Sequence, residues 1–495
     1  MGGGLLQLVA YGAQDVYLTG NPQITFFKAV YRRHTNFAME AIEQTFNGNA
    51  DFGSRVTCQI TRNGDLINRI YLRAKLSNTG TEGAAASGTP LVGAENNGLA
   101  LVPSFGLKLL KTIELEIGGQ RIDKHYAEWL YIWNELTLPA GKRDGYYLMV
   151  GADRFNHSIY LAAQQSYVVH VPLEFWFCRN VGLALPLIAL QYHEVKINIE
   201  FETRDNMVDT SQNYSDKAFQ LVGKDYVAIS GSKKNSELGG SASNLAVSEI
   251  SLWVDYIFLD TDERRRFAQL SHEYLIEQLQ FTGSDTISTA GNTKSIRMNF
   301  NHPCKELVWV AKYAGTSTTR HHWYNYTVKA DGSFLGNTEF PGSTNVAVTS
   351  FDDAGGSNVF ALSDLGTGDY LKRTILNTEP GLHPNATNPF DTCLLQLNGN
   401  DRFAVRNGSY FNYVQPFQHH TNIPANAGIN VYSFALKPEE HQPSGTLNMS
   451  RIYTAVLSIQ TKSSSPIITG DLNVYATNYN VLRILSGMGG LAYSN

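Results

Sequence analysis

The chain has 495 residues, of which 43% are apolar and 17% are charged, and its net charge at pH 7 is −5. A chain of this length is expected to form two to four domains. The slightly acidic balance argues against a protein that coats nucleic acid, which would present a strongly basic face. The four cysteines lie far apart and form no CxxC pair, so we expect free thiols rather than a disulfide framework.

Residues 1–36 are predicted to form an N-terminal arm. Asn21 followed by Pro22 is a typical helix start, because asparagine can cap the first backbone N–H groups and proline has a preset φ. The apolar residues that follow share one face of a short helix: Ile24, Phe27 and Tyr31. A helix this short is unstable alone, so we expect it to dock on its own domain or on a neighbouring molecule.

From Phe37 the spacing of apolar residues changes to two, which is typical of strands with one buried face. Strands of this kind form antiparallel sheets that pack as a sandwich. The buried faces are predicted at Val56-Cys58-Ile60, Ile70-Leu72-Ala74-Leu76, Ile113-Leu115-Ile117 and Ile197-Ile199-Phe201, and later at Ile296-Met298-Phe300 and Tyr453-Ala455-Leu457-Ile459. One helical segment is predicted near Tyr126–Leu136, where Trp129, Leu130 and Trp133 share a face.

The segment from Asp260 to Arg266 marks a junction between two parts of the chain. Its acidic residues come first and its arginines last, which suits the dipole of a short helix. We expect a linker helix over 261–271 with a solvated charged face; contact of the three arginines with nucleic acid is the alternative.

The sequence on the two sides of this junction is similar in four places. The matching pairs are Ile42–Phe46 with Ile276–Phe281, Leu115–Gln120 with Leu395–Asn400, Val195–Glu200 with Ala455–Gln460, and Trp253–Tyr256 with Asn473–Ala476. The order is the same in both copies while the spacing differs. We therefore expect two copies of one β-rich unit that share a framework and differ in their loops.

Three stretches rich in Gly, Ser, Thr and Asn are predicted to be long loops: Ser77–Gly98, Thr203–Ser243 and Gly315–Phe390. The aromatic residues in the last of these, Trp323, Tyr324 and Tyr326, are expected to pack within the loop or against neighbouring loops. Receptor contact is the alternative.

The chain contains no recognisable catalytic or cofactor motif. Walker A, GxGxxG, GxSxG and HExxH patterns are all missing from the sequence. His321-His322 and His419-His420 are adjacent pairs whose side chains would point to opposite faces of an extended segment, so surface histidines are a better interpretation than metal ligands. We expect no enzyme activity, no bound metal and no cofactor.

Several Asn-x-Ser/Thr triplets occur, and three of them lie in or near the predicted second-copy loops. Chance occurrence in Asn-rich loops explains such triplets, and N-glycosylation is the alternative. The candidate glycosylation sites are Asn325, Asn385 and Asn407.

Five sequence blocks from both ends and the middle of the chain resemble one family. They are LVAYGAQDVYLTGNPQITFFK at 8–28, EIGGQRID at 116–123, LALPLIALQYHEV at 183–195, WVDYIFLD at 253–260, and NYNVLRI with SGMGGLAY at 478–493. In these blocks the chain resembles the major capsid proteins of nucleocytoplasmic large DNA viruses, and it is most similar to those of the chlorella viruses.

The resemblance implies an all-β fold of two tandem eight-stranded antiparallel jelly rolls, with short helices and long loops. We then expect an arm at 1–36, a first jelly roll at 37–260, the linker helix at 261–271 and a second jelly roll at 272–495. The implied assembly is a homotrimer with a pseudo-hexameric outline, and trimers would build a lattice in the outer capsid shell of an icosahedral virion after assembly in the host cytoplasm.

The implied function is structural, and the implied partners follow from it. We expect the arm to face minor capsid proteins or an inner membrane, the outer loops to meet the host surface, and no direct contact with nucleic acid. The alternative is a β-sandwich lectin or glycosidase, which for a glycosidase would need two carboxylates facing each other across a groove.

Overall fold

The structure is a computed structural model that describes most of the chain and divides it into two compact units, Met1–Phe37 and Ala38–Asn495. The described residues are 3–22, 31, 33–80, 99–152, 159–161, 164–208, 219–222, 225–228, 242–288, 290–313, 323–329, 350–351, 358–359, 386–463 and 469–493. The first unit contains helices at Gly3–Val9 and Asp15–Thr19, and none of its described residues is buried. Most of the predicted helix after Pro22 lies outside the described residues.

The first half of the larger unit is built from antiparallel strands. Their bounds are β1 (Phe37–Gln44), β2 (Arg55–Gln59), β3 (Leu66–Asn78), β4 (Leu99–Leu101), β5 (Leu110–Ile117), β6 (Gln120–Tyr126), β7 (Ile159–Leu161), β8 (Ser166–Pro172), β9 (Leu185–Pro186), β10 (Val195–Phe201), β11 (Phe219–Val222), β12 (Asp225–Ala228) and β13 (Leu245–Leu259).

The second half repeats this construction. Its strands are β14 (His272–Ser288), β15 (Thr293–Met298), β16 (Pro303–Tyr313), β17 (Val328–Lys329), β18 (Ser350–Phe351), β19 (Asn358–Val359), β20 (Ala386–Thr387), β21 (Phe390–Leu397), β22 (Asn400–Asp401), β23 (Arg406–Asn407), β24 (Asn430–Ser433), β25 (Leu447–Asn448), β26 (Ala455–Thr461), β27 (Thr469–Leu485) and β28 (Met488–Leu491).

Each half contains two main sheets whose four-strand paths have the same order, and three of the four sheets carry short additional strands. The first half has β1-β13-β3-β8 and β2-β10-β5-β6, and the second has β14-β27-β16-β24 and β15-β26-β21-β22. The first strand of each half therefore pairs with its last long strand. All four similar sequence pairs fall on equivalent strands or turns: β1 with β14, the β5–β6 turn with the β21–β22 turn, β10 with β26, and β13 with β27. The predicted repeat is confirmed.

The predicted alternation of buried and less buried residues holds in the strands for which it was predicted: β2, β3, β5, β10, β15 and β26. Ile197 lies opposite both Leu115 and Cys58 in its sheet, and all three side chains are fully buried. The prediction was wrong for Tyr453, which is 89% exposed because it precedes the start of β26 at Ala455.

Helices cover the ends of the sheets and connect the halves. Their bounds are Phe105–Leu109, Ala127–Thr137, Ala140–Val150, Trp176–Arg179, Thr261–Gln269 and Gln415–His419, with 3-10 turns at Val181–Leu183, Arg204–Met207, Ala242–Asn244 and Met449–Arg451 and a π-helical turn at Tyr410–Val414. The predicted helix near Tyr126–Leu136 is confirmed, and its three large apolar residues are buried. Among the described helices, none has the length and apolarity that a membrane span requires.

The helix Thr261–Gln269 links the two halves and confirms the helix predicted from the charge pattern. Arg264 forms an ion pair of 2.9 Å with Asp65 of the first half, while Arg266 contacts Glu263 on the helix itself. The arginines thus form a largely exposed face that is partly neutralised by nearby acids.

Two apolar cores hold the larger unit together. The second-half core lies between its own sheets, around Trp309, Leu457 and Ile459. The first-half core is larger and continues into the second half through Val308, Tyr475 and other residues of β16 and β27. The halves therefore pack against each other through an apolar contact that is continuous with a domain core.

The three predicted long loops are only partly described. β3 extends to Asn78, so one strand runs into the first loop range. Within 203–243 the structure has a 3-10 turn at Arg204–Met207 and a hairpin formed by β11 and β12. Two short two-stranded sheets also occur in the third range, where β17 pairs with β20 and β18 with β19. The rest of these ranges lies outside the described residues.

The junction between the halves and the exposed apolar surfaces

Three of the sequence blocks that carry the family resemblance meet at one end of the junction. Gly118, in the turn after β5, has a φ of +58°, and a Cβ there would lie 2.2 Å from His193 Nδ1. The same Nδ1 lies 2.9 Å from the carbonyl oxygen of Gly489 in β28. Gln120 Oε1 accepts a hydrogen bond of 3.1 Å from the backbone N–H of Leu491. The C-terminal hairpin is thereby fixed to the first half.

A second set of contacts joins strand β6 to strand β14. Asp123 Oδ1 accepts a hydrogen bond of 3.1 Å from the backbone N–H of Leu279, and the side-chain amide of Gln278 donates to the carbonyl of Ile122. The other carboxylate oxygen of Asp123 lies 2.9 Å from His125 Nε2, and both of these side chains are buried. Asp123 and Gln278 therefore find hydrogen-bond partners across the boundary, as most buried polar groups do.

A buried ionic cluster crosses the junction at Glu277 of β14. One oxygen of its carboxylate lies 2.9 Å from Arg179 of the first half, and the other lies 2.7 Å from Lys305 Nζ of β16. The guanidinium of Arg179 also lies 4.1 Å from the ring centroid of Trp133. Burial lowers the pKa of Lys305, and Glu277 opposes this effect. Such a cluster specifies one arrangement, since removing a single member leaves a buried charge unpaired.

Glu128 of the first half is the centre of a second buried polar cluster. Its Oε1 lies 2.6 Å from Lys312 Nζ of β16, and its Oε2 accepts hydrogen bonds from Asn473 and from the hydroxyl of Tyr475. Burial and the nearby carboxylate of Glu128 raise the pKa of Tyr475 well above its usual value. Tyr475 therefore stays a neutral donor at neutral pH.

Aromatic rings fill the space between these polar clusters. Tyr131 of the helix Ala127–Thr137 stacks on Tyr324 with ring centroids 4.6 Å apart, and Tyr326 lies 6.3 Å from the same ring. Tyr324 and Tyr326 are 5% and 0% exposed. Trp323 donates from Nε1 to the carbonyl of Asn206 over 2.9 Å and lies under Lys108 Nζ. Trp323 contacts the predicted loop at 203–243, as expected, but the expectation was wrong for Tyr324 and Tyr326, because both rings pack against Tyr131 of a first-half helix.

Large apolar side chains are exposed at many points of the described chain, and two groups of them lie close together in the sequence. In the N-terminal unit they include Leu8, Tyr17 and Leu18, at 77%, 91% and 83% exposure. In the larger unit one group lies in the segment from Tyr413 to Leu436, where Phe417 is 74% exposed. Single exposed apolar residues are common on protein surfaces, whereas contiguous exposed apolar patches are typical of binding surfaces.

The sequence-predicted site residues lie in different surroundings. Asn407 is exposed in β23, so its amide is open to modification. Asn325 is 2% exposed and its Oδ1 accepts a hydrogen bond from the hydroxyl of Thr327 in the same triplet, so a glycan there would require the segment to open. Asn385 lies outside the described residues.

The histidine pairs were only partly predicted. His419 is half-buried, and the side chain of His420 is fully buried between Glu306 and Glu439, which corrects the interpretation of both as surface residues. His321 and His322 lie outside the described residues. In the described part of the chain no group of three or more His, Cys, Asp and Glu side chains could hold a metal ion.

All four cysteines have free thiols, as expected: Cys58, Cys178, Cys304 and Cys393. Burial raises the pKa of Cys58 to about 11, so its thiol stays protonated at neutral pH.

Two family models match successive parts of the chain. One, described as the N-terminus of the major capsid protein, matches residues 25–260, and the other, described as the major capsid protein of large eukaryotic DNA viruses, matches residues 263–490. Among the relatives, the major capsid protein of Pyramimonas orientalis virus is 46% identical and that of Paramecium bursaria Chlorella virus 1 is 44% identical, each over the full length of both chains.

Solved structures of viral capsid proteins also match this chain. The PBCV-1 VP54 structure, fitted into a reconstruction of the virophage Sputnik, matches with a TM-score of 0.67 and 37% identity, covering 95% of this chain and 100% of the other. The major capsid protein of Faustovirus matches with a TM-score of 0.63 at 14% identity, covering 96% of this chain and 94% of that one, which shows the shared fold alone. This chain therefore belongs to the major capsid proteins of large eukaryotic DNA viruses, and it assembles with copies of itself into the shell of the virion.

Proposed function

We propose that the chain assembles as a homotrimer whose six β-domains form a pseudo-hexameric capsomer, and that these capsomers tile an icosahedral shell. The observation that carries this proposal is the identical strand order of the two halves. Three copies of a doubled domain offer nearly sixfold contacts while keeping closed threefold symmetry.

Each half is proposed to be one eight-stranded jelly roll. In both halves the first strand pairs with the last long strand, and consecutive framework strands alternate between two sheets except at β5–β6 and β21–β22. The proposed division is an arm at 1–36, jelly rolls at 37–260 and 272–495, and the linker helix at 261–271. The position of helix Thr261–Gln269 between β13 and β14 supports this division.

The role of the chain is proposed to be structural, without catalysis. Membership of a capsid protein family supports this, and none of the matches supports the lectin or glycosidase alternative. The buried ionic clusters at Glu277 and Glu128 fit a structural role, since they fix the two halves against each other.

The partners beyond the chain itself are proposed from the family resemblance and the exposed surfaces. The arm would contact minor capsid proteins or an inner membrane, and its exposed apolar residues suit such contacts. Assembly is proposed to take place in the host cytoplasm, without direct contact with nucleic acid.

We also propose that the Gly315–Phe390 range forms the outer crown of the capsomer and carries the host-facing surface. Limited proteolysis of intact virions, followed by mass spectrometry, tests this orientation. Cuts concentrated in 315–390 would support an outward-facing position of this range. Protection of this range together with cleavage of the arm would show the opposite orientation.

Negative-stain electron microscopy of the purified protein tests the capsomer itself. We expect compact particles with a pseudo-hexagonal outline and threefold symmetry, and lattice patches at high protein concentration. Particles with a different closed symmetry, such as dimers, would contradict the proposal.

A further inference from the structure

His420 occupies an unusual position for a charged side chain. Its Nε2 lies 3.0 Å from Glu306 Oε2, its Nδ1 lies 2.9 Å from Glu439 Oε1, and the side chains of His420 and Glu306 are 0% exposed. Both ring nitrogens thus face carboxylates, a geometry that only the doubly protonated imidazolium satisfies fully.

The three residues come from different elements of the second half. Glu306 belongs to β16 in the centre of a sheet, His420 follows the helix Gln415–His419, and Glu439 lies in the loop after β24. We call residues 410–421 and 434–445 together the cap. Its two segments contact each other at His419, whose Nδ1 lies 3.0 Å from the carbonyl oxygen of Leu436.

Few other charges reach this cluster. Lys305 Nζ donates to the carbonyl of Pro438 over 2.7 Å and pairs with Glu277, which also contacts Arg179. From β27, the hydroxyl of Thr477 lies 3.5 Å from Glu306 Oε1. His441 Nδ1 lies 3.9 Å from Glu277, and Lys437 pairs with Glu440 at the surface of the loop.

We propose that His420, ion-paired to Glu306 and Glu439, is a proton-dependent latch that holds the cap on β16 and loosens it when the imidazolium loses its proton. Loss of that proton leaves the carboxylate of Glu306 buried without its closest cation. The cap carries Phe417 and Leu436, which are 74% and 72% exposed. The latch therefore controls the position of these apolar side chains.

The expected pH range follows from the electrostatics. Burial acts to lower the pKa of His420, but Glu306 and Glu439 outweigh burial and raise it to about 9 from the ordinary value of 6.5. The stabilisation is therefore complete below pH 6.5, decreases as pH rises, and is lost once pH passes about 9. On the acid side, burial acts to raise the pKa of Glu306, but His420 outweighs it, so the carboxylate stays charged below its usual range.

Hydrogen–deuterium exchange of the full chain with millisecond labelling, read by mass spectrometry, tests the latch between pH 6 and pH 10. Rates are divided by the intrinsic exchange rate at each pH. Protection of cap peptides should fall by about tenfold per pH unit from about pH 6.5 and level off above about pH 9. Peptides from β27 should keep their protection over the same range.

Three variants separate the latch from its surroundings. His420→Gln should lower cap protection at pH 6 and abolish its dependence on pH, while His419→Gln, at the adjacent half-buried histidine, should keep the dependence. Glu439→Gln removes only the more accessible carboxylate and should move the levelling-off point to lower pH, which tests the proposal even if His420→Gln fails to fold. Cap protection that is constant from pH 6 to pH 10, or an unchanged profile in Glu439→Gln, would overturn the proposal.

Discussion

Gly118 and His193 are in direct contact across the turn that follows β5: a Cβ added to Gly118 would lie 2.2 Å from His193 Nδ1. No side chain fits in that space unless the imidazole moves. His193 in turn contacts Gly489 of the C-terminal hairpin. The missing side chain at Gly118 therefore leaves the space from which His193 binds this hairpin.

Gly118→Ala should destabilise the protein more than Gly119→Ala, the neighbouring position. Both glycines have positive φ, at +58° and +83°, but a Cβ at Gly119 meets nothing within 4 Å. Both variants carry the cost of a left-handed backbone, and Gly118→Ala adds overpacking that typically costs about 1–3 kcal/mol. Urea denaturation followed by tryptophan fluorescence measures the difference, and equal midpoints for the two variants would contradict the packing described here.

Glu277→Gln should be strongly destabilising, because it removes the carboxylate between Arg179 and Lys305. Breaking a buried pair costs about 3–5 kcal/mol, since the partners remain charged and buried. The same denaturation measurement checks this expectation.

Glu273→Gln is the matched control on the same strand. Glu273 pairs with Arg483, but the two side chains are 60% and 56% exposed. An exposed pair contributes about 0–1 kcal/mol to stability, so the urea midpoint of this variant should be close to that of the unchanged protein. A loss of stability as large as that of Glu277→Gln would show that burial is not what distinguishes the two pairs.

Deletion of residues 1–21 should leave a folded protein that assembles poorly. Residues 3–21 belong to the compact unit Met1–Phe37, which is separate from Ala38–Asn495, and none of them is buried. Circular dichroism and thermal unfolding should match the full chain, while electron microscopy should show fewer shells or lattice patches. If the truncated protein does not fold, the arm is part of the folded domain and the prediction is wrong.

Much of the framework could be predicted from the sequence, because a strand with one buried face leaves a period of two. Ile113, Leu115 and Ile117 are buried as that period requires, and the helix carrying Trp129 and Trp133 is present. The repeat predicted which strands are equivalent, since equivalent positions bury similar residues.

The charged groups of the junction could not be predicted in this way. Lys305 and Glu306 lie in β16, where every residue from Cys304 to Ala311 is buried and no period of two marks an inward face. The register of β16 shifts between Cys304 and Glu306. The partners of these two charged residues, Glu277 and His420, lie far away in the sequence, so no local pattern reveals the pairing. Two opposite charges next to each other in an apolar strand were the available signal.

The mass of the purified protein in solution tests the capsomer most directly. Size-exclusion chromatography with multi-angle light scattering, in mild buffer at neutral pH, should give a single species near three times the chain mass of 54.8 kDa. A monodisperse species at 54.8 kDa would contradict the proposed trimer.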